Sequence, residues 1–276
     1  MKTNNAFVSF RKYYCLFRIK LISGMQYRAA ALAGIATQFA WGFFSVMMYG
    51  AFYRSDPAAF PMGLSQVSAY IWLRQAFLAL FNMWRFDSEI FDAIVKGNAA
   101  YELVRPADIY GMWYVKNLSS RLADVALRFA PVVVIAAIVP APYGLCAPEN
   151  SAAFGWFLIT MILGALVGCA MIMIVYALTF FTLQPQGIKM IFVACADLLC
   201  GDLIPLPFFP EKIAHALEYT PFAAISNVPF RIYSGNISGN AIYEHAALQL
   251  FWLVFLVIAG RLLLRLSLKR AVVQGG

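Results

Sequence analysis

Charged side chains are scarce in this sequence: they make up 12% of its 276 residues, whereas 62% are hydrophobic. A soluble domain carries roughly 25% charged residues. With a mean hydropathy of +0.73, the chain has too little polar surface to keep a globular domain in water. The bilayer is therefore the expected solvent, and an all-α membrane protein is the expected fold class.

Signatures of enzymes and metal sites are also missing. The sequence has no G-x-x-x-x-G-K-[ST] phosphate loop, no G-x-S-x-G elbow and no H-E-x-x-H. Its five cysteines form no C-x-x-C pair, and its two histidines, His215 and His245, are interpreted as ordinary polar residues rather than metal ligands. We expect no catalytic residue, metal or cofactor on this chain. Any ATP and Mg would be bound by another polypeptide.

Six apolar stretches approach the roughly 20 residues that a helix needs to cross the hydrocarbon core. They predict spans at residues 29–53, 67–84, 122–139, 154–181, 187–204 and 246–264 of a single transmembrane domain, 1–276. The second and third are weaker because each carries charge. A cleavable signal peptide is not expected, since the basic lead-in to Arg28 is long and the apolar run after it has full spanning length.

The basic residues predict how these spans are oriented. Lys and Arg in short loops mark the cytoplasmic side. With six spans, 16 of the 21 basic residues fall on one side and 3 on the other, while Arg74 and Arg128 lie within spans. This alternation predicts a plasma (inner) membrane protein with both termini in the cytoplasm. The net charge of +8 therefore indicates topology rather than nucleic-acid binding.

Two segments on the cytoplasmic side do not span. Residues 7–25 mix aromatic and basic side chains, which favours an interfacial helix on the anionic leaflet; a disordered basic tail is the alternative. Residues 85–96 carry apolar side chains at helical spacing and three acids, so they predict a short amphipathic helix ending at Gly97.

The outer connection between the last two spans is long and rich in proline. We expect Pro205, Pro207 and Pro210 to end the fifth helix, and the apolar residues around Pro221 and Phe222 to dip back into the membrane. Non-helical backbone at that depth must be buried in protein or line a cavity. A plain solvated loop is the alternative to this re-entrant segment.

Ionisable residues inside spans are the sharpest site candidates, because a charge at mid-bilayer costs at least a few kcal/mol and usually faces protein or water. They are Arg74, Asp124, Arg128 and Asp197. Asp124 and Arg128 are four residues apart and could simply pair with each other. Asp197 has no local partner, so it could meet Arg74 across helices or line a substrate path. In the fourth span, Gly164 and Gly168 form a G-x-x-x-G that could pack within the subunit or form a dimer contact.

Three stretches together resemble permeases of the type-2 ABC exporter family. Residues 96–106 (KGNAAYELVRP) are similar to the G-x-x-x-x-x-L-L-R-P passage after the coupling helix, with Val104 where Leu is commoner. Residues 201–210 (GDLIPLPFFP) resemble G-x-x-x-P-x-x-x-x-P at the start of the re-entrant segment. Residues 219–229 (YTPFAAISNVP) resemble L-P-F-x-x-x-x-x-x-P. The likeness covers nearly the whole chain.

The resemblance implies a function and its partners. Such permeases pair as homo- or heterodimers in the lipid bilayer, and each seats its coupling helix on a cytoplasmic ABC ATPase, which binds ATP and Mg and drives alternating access at the dimer interface. Relatives suggest an amphipathic or lipid-linked substrate. The residues expected to contact the ATPase are Phe86, Asp87, Glu89, Ile90, Phe91, Asp92 and Ile94, with apolar anchors inserted and carboxylates meeting basic groove residues.

Two other function classes remain open. A proton-driven secondary transporter would use Asp197 and Asp124. A membrane enzyme that acts on lipids would need a nucleophile or a metal cluster that the sequence does not offer. The amphipathic helix at residues 85–96 also has an alternative position, because it could lie flat on the lipid surface instead of contacting an ATPase. Its acidity argues against this position, since anionic headgroups repel carboxylates.

Overall fold

The computed structural model describes residues 3–26, 28–56, 60–104 and 107–269, and these residues form helices and connecting turns without a strand among them. The all-α expectation is confirmed. The elements are α1 (Thr3–Gly24), α2 (Arg28–Ser55), α3 (Leu64–Ala76), α4 (Leu78–Phe81), α5 (Ser88–Val95), α6 (Ala99–Leu103), α7 (Ile109–Ile138), α8 (Ser151–Thr182), α9 (Pro185–Leu199), a 3-10 turn (Leu206–Phe208), α10 (Glu211–Glu218), α11 (Asn227–Tyr233) and α12 (Ala241–Leu268).

Three of these helices are long and apolar enough to cross a membrane, judged by length and composition. The qualifying segments are Ala31–Ser55 of α2, Ser151–Thr182 and Ala241–Leu268. They correspond to the first, fourth and sixth predicted spans. The prediction of a multi-pass protein is thus supported by its strongest segments.

The other three predicted spans are irregular. The second is interrupted at Phe77, between α3 and α4. The third is the second half of α7, which carries Asp124 and Arg128 and contains Pro131. The fifth lies on α9, whose 15 residues extend about 22 Å at 1.5 Å per residue, less than a bilayer core of about 30 Å. The six-span topology therefore stays a prediction.

The helix α9 ends earlier than the prolines suggested. Its last residue is Leu199, and Gly201 follows with a φ of +78°, a left-handed conformation that glycine adopts without strain. The expectation that Pro205 and its neighbours end this helix is therefore wrong. The prolines shape the turn that comes after it.

The helix α8 is the central element of the bundle, and it packs against α7, α9, α11 and α12. Its glycines allow this close packing. A Cβ on Gly164 would overlap the carbonyl oxygen of Ile225, and one on Gly168 would lie 2.9 Å from Cε of Met83. The G-x-x-x-G therefore serves packing within the subunit, which was one of the two interpretations of the motif.

The outer connection folds back against the middle of α8. Residues 223–234 are almost entirely buried, although residues 223–226 precede α11 and are not helical. Hydrogen bonds join this segment to other elements: Gln249 of α12 donates a 2.8 Å hydrogen bond to the backbone carbonyl of Ala224, and the side-chain amide of Asn227 donates at 3.2 Å to Oη of Tyr70 on α3. Non-helical backbone buried in protein in this way is what a re-entrant segment requires.

The N-terminal helix α1 packs along α7. Tyr13 accepts a 3.2 Å hydrogen bond from the backbone N–H of Asp108, and a Cβ on Gly24 would lie 2.6 Å from Cβ of Ala123. Its other face, with Tyr14, Ile19 and Ile22, is exposed. An amphipathic helix held by protein on one side is compatible with the predicted interfacial position.

The contact of α8 with the outer connection predicts unequal effects for two glycines of the same helix. Gly164→Ala should lower the free energy of unfolding by about 1–3 kcal/mol, because the added methyl group must displace the backbone at Ile225. Gly155→Ala is the matched control, because nothing lies within 4 Å of its Cβ position. Thermal unfolding of the purified proteins in detergent measures both. Equal midpoints for the two variants would contradict this packing.

Candidate functional site

The segment between α4 and α7 contains the short amphipathic helix α5, Ser88–Val95. Asp87 precedes it in extended backbone and caps it, since its carboxylate accepts a 2.9 Å hydrogen bond from the N–H of Glu89. Gly97 follows the helix with a φ of +73°, the left-handed conformation of a helix C-terminus. The local sequence therefore sets both ends of α5.

The apolar face of α5 is turned into the chain's own core. Ile90, Phe91 and Ile94 are each at most 5% exposed. The ring of Phe91 lies 5.0 Å from that of Tyr176 on α8, and Phe86 is 6.3 Å from the same ring. While this packing persists, these side chains cannot be the anchors that insert into a partner. The structure instead makes them the attachment of α5 to α8.

The outward face of this segment is acidic and then apolar. Glu89 and Asp92 are exposed on α5, as is Val95 at its end. The short helix α6 that follows is fixed to α7 by a hydrogen bond from Nε1 of Trp113 to the carboxylate of Glu102. We call the exposed apolar side chains of this segment the inner patch; they are Val95, Tyr101, Leu103 and Val104. Arg105 and Pro106, the end of the resembling passage, lie outside the described residues.

A buried arginine holds the turn between α4 and α5 in place. Arg121 of α7 is 2% exposed, and its guanidinium donates to the carbonyl oxygens of Leu80 at 2.9 Å and Asn82 at 2.7 Å. It also donates to the carbonyl of Arg85 and to Oδ1 of Asn117. Sequence reasoning counted Arg121 only as a loop charge. Its position one residue before the predicted third span was the available signal.

Three ion pairs join the start of α5 to α7 and α1. The ammonium of Lys116 lies 2.9 Å from Asp87 and 2.6 Å from Glu89, and Lys20 of α1 lies 3.6 Å from Glu89. The hydrogen bond from Lys116, together with its charge, holds the pKa of Glu89 below its ordinary value. Glu89 therefore stays ionised, and the acidic surface of α5 persists at neutral pH.

The intramembrane charges pair differently from the simplest expectation. Asp124 forms its ion pair with Arg85, not with Arg128 four residues along the same helix. Arg128 instead lies against α2, where a Cβ on Gly34 would be 3.1 Å from its Cζ. The pair partner comes from the turn before α5, and a helical spacing rule cannot reveal such a partner.

Asp197 is exposed on α9, and Arg74 is close enough to act electrostatically on it and on Asp202. No ion pair within 4 Å joins Arg74 to either carboxylate in the described residues. A groove of about 680 Å³ runs from Asp197 along α9 to Asp92 on α5. Lys189 lies in this groove with its ammonium 5.1 Å from the centre of the Phe91 ring.

The residues of the expected re-entrant segment differ in exposure. Pro205 is buried, Pro207, Pro221 and Phe222 are half-buried, and Pro210 is exposed. The ring of Phe222 lies 6.4 Å from that of Phe192 on α9. The segment thus packs against α9, a helix that also lines the groove.

The profile of the ABC-2 family transporter proteins matches residues 39–275. The chain belongs to this family. The match begins within α2 and covers every later element, including the segment around α5 and the outer connection. A search of curated proteins finds no relative.

Membership in the ABC-2 family gives this arrangement a general meaning. The family consists of membrane transport subunits that work with a separate ABC ATPase and normally have no ATPase site of their own. The chain is therefore a multi-pass membrane permease. In this permease the α5–α6 segment is held to the bundle by Arg121 and carries exposed acidic and apolar side chains.

The position of Arg121 predicts a large effect of removing its guanidinium. Arg121→Gln should lower the free energy of unfolding by about 3 kcal/mol, because buried carbonyls left without a donor cost about 1–3 kcal/mol each. Thermal unfolding and limited proteolysis around α5 measure the change. Arg265→Gln, an exposed arginine of α12, is the control. Equal stability and equal cleavage in the two variants would show that Arg121 does not hold this turn.

Proposed function

We propose that this chain is the membrane-spanning subunit of an ATP-driven exporter. It moves an amphipathic small molecule or a lipid-like substrate out of the cytoplasm by alternating access at an interface between two permeases. Its six spans leave both termini and the α5–α6 segment in the cytoplasm. An ABC ATPase binds the α5–α6 segment there. The observation that carries this proposal is the α5–α6 segment: it is firmly attached to the bundle on one side and exposes acidic and apolar side chains on the other.

The proposed ATPase contact consists of the inner patch together with Glu89 and Asp92. Apolar side chains that insert into pockets supply most of the binding free energy of an interface, and surrounding charges orient the partner. Val104 is 84% exposed and Tyr101 is 77% exposed, so both are available for such insertion. The proposed contact therefore lies in the segment that was predicted from the sequence. The apolar side chains that insert into the partner are those of the inner patch, and not the buried side chains of α5.

A force applied to this contact would reach the bundle through buried groups. The ring of Phe91 packs edge-to-face against Tyr176 of α8, and the hydroxyl of Tyr176 accepts a 2.8 Å hydrogen bond from the N–H of Asp87. On the other side, Arg121 joins the same turn to α7. Since packed cores are not continuously deformable, movement of α5 would carry α7 and α8 with it.

The proposed permease interface and substrate path lie along α9. Only Ala196 of this helix is buried, and Met190, Ile191 and Asp197 are exposed. A carboxylate exposed to lipid costs several kcal/mol, so Asp197 needs a partner subunit or a water-filled path beside it. A second permease placed on this face would cover Asp197 and enclose the groove between α9 and α5.

A proton-coupled secondary transporter is the second candidate function, and Asp197 is the observation that favours it. An exposed carboxylate within a predicted span is a suitable proton carrier. Asp124 supports this alternative less, because it is 12% exposed and already paired with Arg85.

The inner patch predicts that a charge placed on it will uncouple the ATPase. Val104→Glu should weaken binding of the co-purifying ATPase about tenfold or more, since a carboxylate cannot enter an apolar pocket without losing its hydration. Pull-down and substrate-stimulated ATP hydrolysis by the reconstituted complex measure this. Ile213→Glu, at an exposed position of α10 on the opposite side, is the matched control. Wild-type coupling in Val104→Glu would argue against the contact.

The energy source separates the two candidate functions. In inverted vesicles that contain the permease and its ATPase, transport should require hydrolysable ATP and should persist when a protonophore collapses the proton gradient. Asp197→Asn, which removes the ionisable group and keeps the side-chain shape, should leave this dependence on ATP intact. Transport without the ATPase that stops on adding the protonophore would instead select the secondary transporter.

A further inference from the structure

A second cavity, of about 320 Å³, lies between α1, α2, α7 and the turn before α5. Four cationic side chains line it: Lys20 from α1, Arg85 from the turn, and Lys116 and Arg128 from α7. Its carboxylates are Asp87 and Asp124, and the other lining residues are small, hydroxylated or apolar: Ser23, Gly24, Ala31, Ser120 and Leu127. The cavity is therefore polar and carries an excess of positive charge.

Three of the four cations already have carboxylate partners. Arg85 pairs with Asp124, Lys116 with Asp87 and Glu89, and Lys20 with Glu89 at 3.6 Å. Arg128 differs from them: it forms no ion pair with a carboxylate of the described chain, and its buried Nε has no hydrogen-bond partner there. Even when Glu89, which lies outside the lining, is included, one positive charge remains unbalanced.

The position of Arg128 aggravates this imbalance. Its guanidinium lies against the backbone of α2 at Gly34, in the second turn of that helix. It is also near enough to Arg85 for the two like charges to repel each other. A partly buried, unpaired cation is costly, and an anion in the cavity would offset that cost.

We propose that this cavity binds a phosphate group, carried either by an anionic phospholipid of the cytoplasmic leaflet or by a soluble phosphate, with Arg128 and Lys20 as its principal contacts. The proposal uses the orientation proposed above but not the ATP-driven mechanism. Guanidinium groups match phosphate oxygens with two parallel hydrogen bonds, and basic pockets on the cytoplasmic side of spans suit anionic headgroups. Ser120, whose oxygen accepts from Arg85, keeps its own hydroxyl proton to donate.

A phosphate in this cavity would add a further link between elements that already meet through the packing of α1 on α7 and the Lys20–Glu89 ion pair. Lys20 lies on α1, Arg128 on α7, and Arg85 and Asp87 in the turn that leads into α5. The bound group would tie the N-terminal helix to the segment that carries the proposed ATPase contact. Lipid composition would then influence how firmly α5 is held.

The test uses the full-length permease, delipidated in detergent, with phosphatidylglycerol, phosphatidylcholine or inorganic phosphate added in turn. Native mass spectrometry counts bound lipid, and the thermal unfolding midpoint reports stabilisation. Wild-type protein should retain phosphatidylglycerol in preference to phosphatidylcholine. Arg128→Gln should weaken this binding about tenfold or more, because it removes a charge-assisted bidentate contact. Arg128→Lys should restore part of it, and Arg265→Gln, an exposed arginine outside the cavity, should bind as the wild type does.

The two sources of phosphate give different results. Stabilisation by phosphatidylglycerol alone identifies a lipid headgroup, whereas equal stabilisation by inorganic phosphate identifies a soluble ligand; either supports the site if Arg128→Gln abolishes it. Binding that is the same in Arg128→Gln and Arg265→Gln, or no binding of either probe, overturns the proposal. Should Arg128→Gln fail to fold, Lys20→Gln provides the same comparison, because the Lys20 side chain is 34% exposed.

Discussion

The buried guanidinium of Arg121 is the contact on which the part of this permease that contains α5 and α6 depends. The chain leaves α4 with carbonyl groups that no helical N–H can reach, and one planar donor set from α7 satisfies those of Leu80, Asn82 and Arg85. A lysine could not span all three, because its donors radiate from a single point. The start of α5 is therefore fixed relative to α7 before any partner binds.

The helix α8 extends this connection through the bundle. Toward its C-terminal end, Tyr176 contacts Phe91 and the backbone of Asp87, and at its middle Gly164 lies against Ile225 of the outer connection. Both contacts are buried, and tightly packed contacts pass displacement on because they have no free volume in which to absorb it. The attachment of the proposed ATPase contact and the fold of the outer connection thus depend on one continuous helix.

Sequence patterns predicted the elements of this fold better than their partners. The scarcity of charge predicted an all-α membrane protein, and the spacing of apolar residues from 86 to 95 predicted α5 together with its end at Gly97. Periodicity shows that a helix has an apolar face, but it does not show what covers that face. For this reason Ile90, Phe91 and Ile94 were expected to anchor a partner, whereas they pack in the permease's own core.

The partners of the charged residues could not be predicted for a similar reason. Asp124 has a suitable partner four residues away in the sequence, yet its ion pair is with Arg85, which the fold brings from a different element. In the sequence, Arg121 resembles any basic residue near the end of a span, because nothing there shows that the carbonyls at and after the end of α4 lie beside it. Such long-range pairs follow from tertiary packing, and a local spacing rule has no access to it.

In the orientation that we propose, the α5–α6 segment faces the cytoplasm and the connection that contains α10 faces outward. The most direct measurement is labelling with a membrane-impermeant thiol reagent, in a background where Cys15, Cys146 and Cys195 are replaced by serine. Val104→Cys and Lys212→Cys, both at exposed positions, are the two reporters. We expect Val104→Cys to react in inverted vesicles only and Lys212→Cys to react in right-side-out vesicles only. Reaction of Val104→Cys from the outside would contradict this orientation.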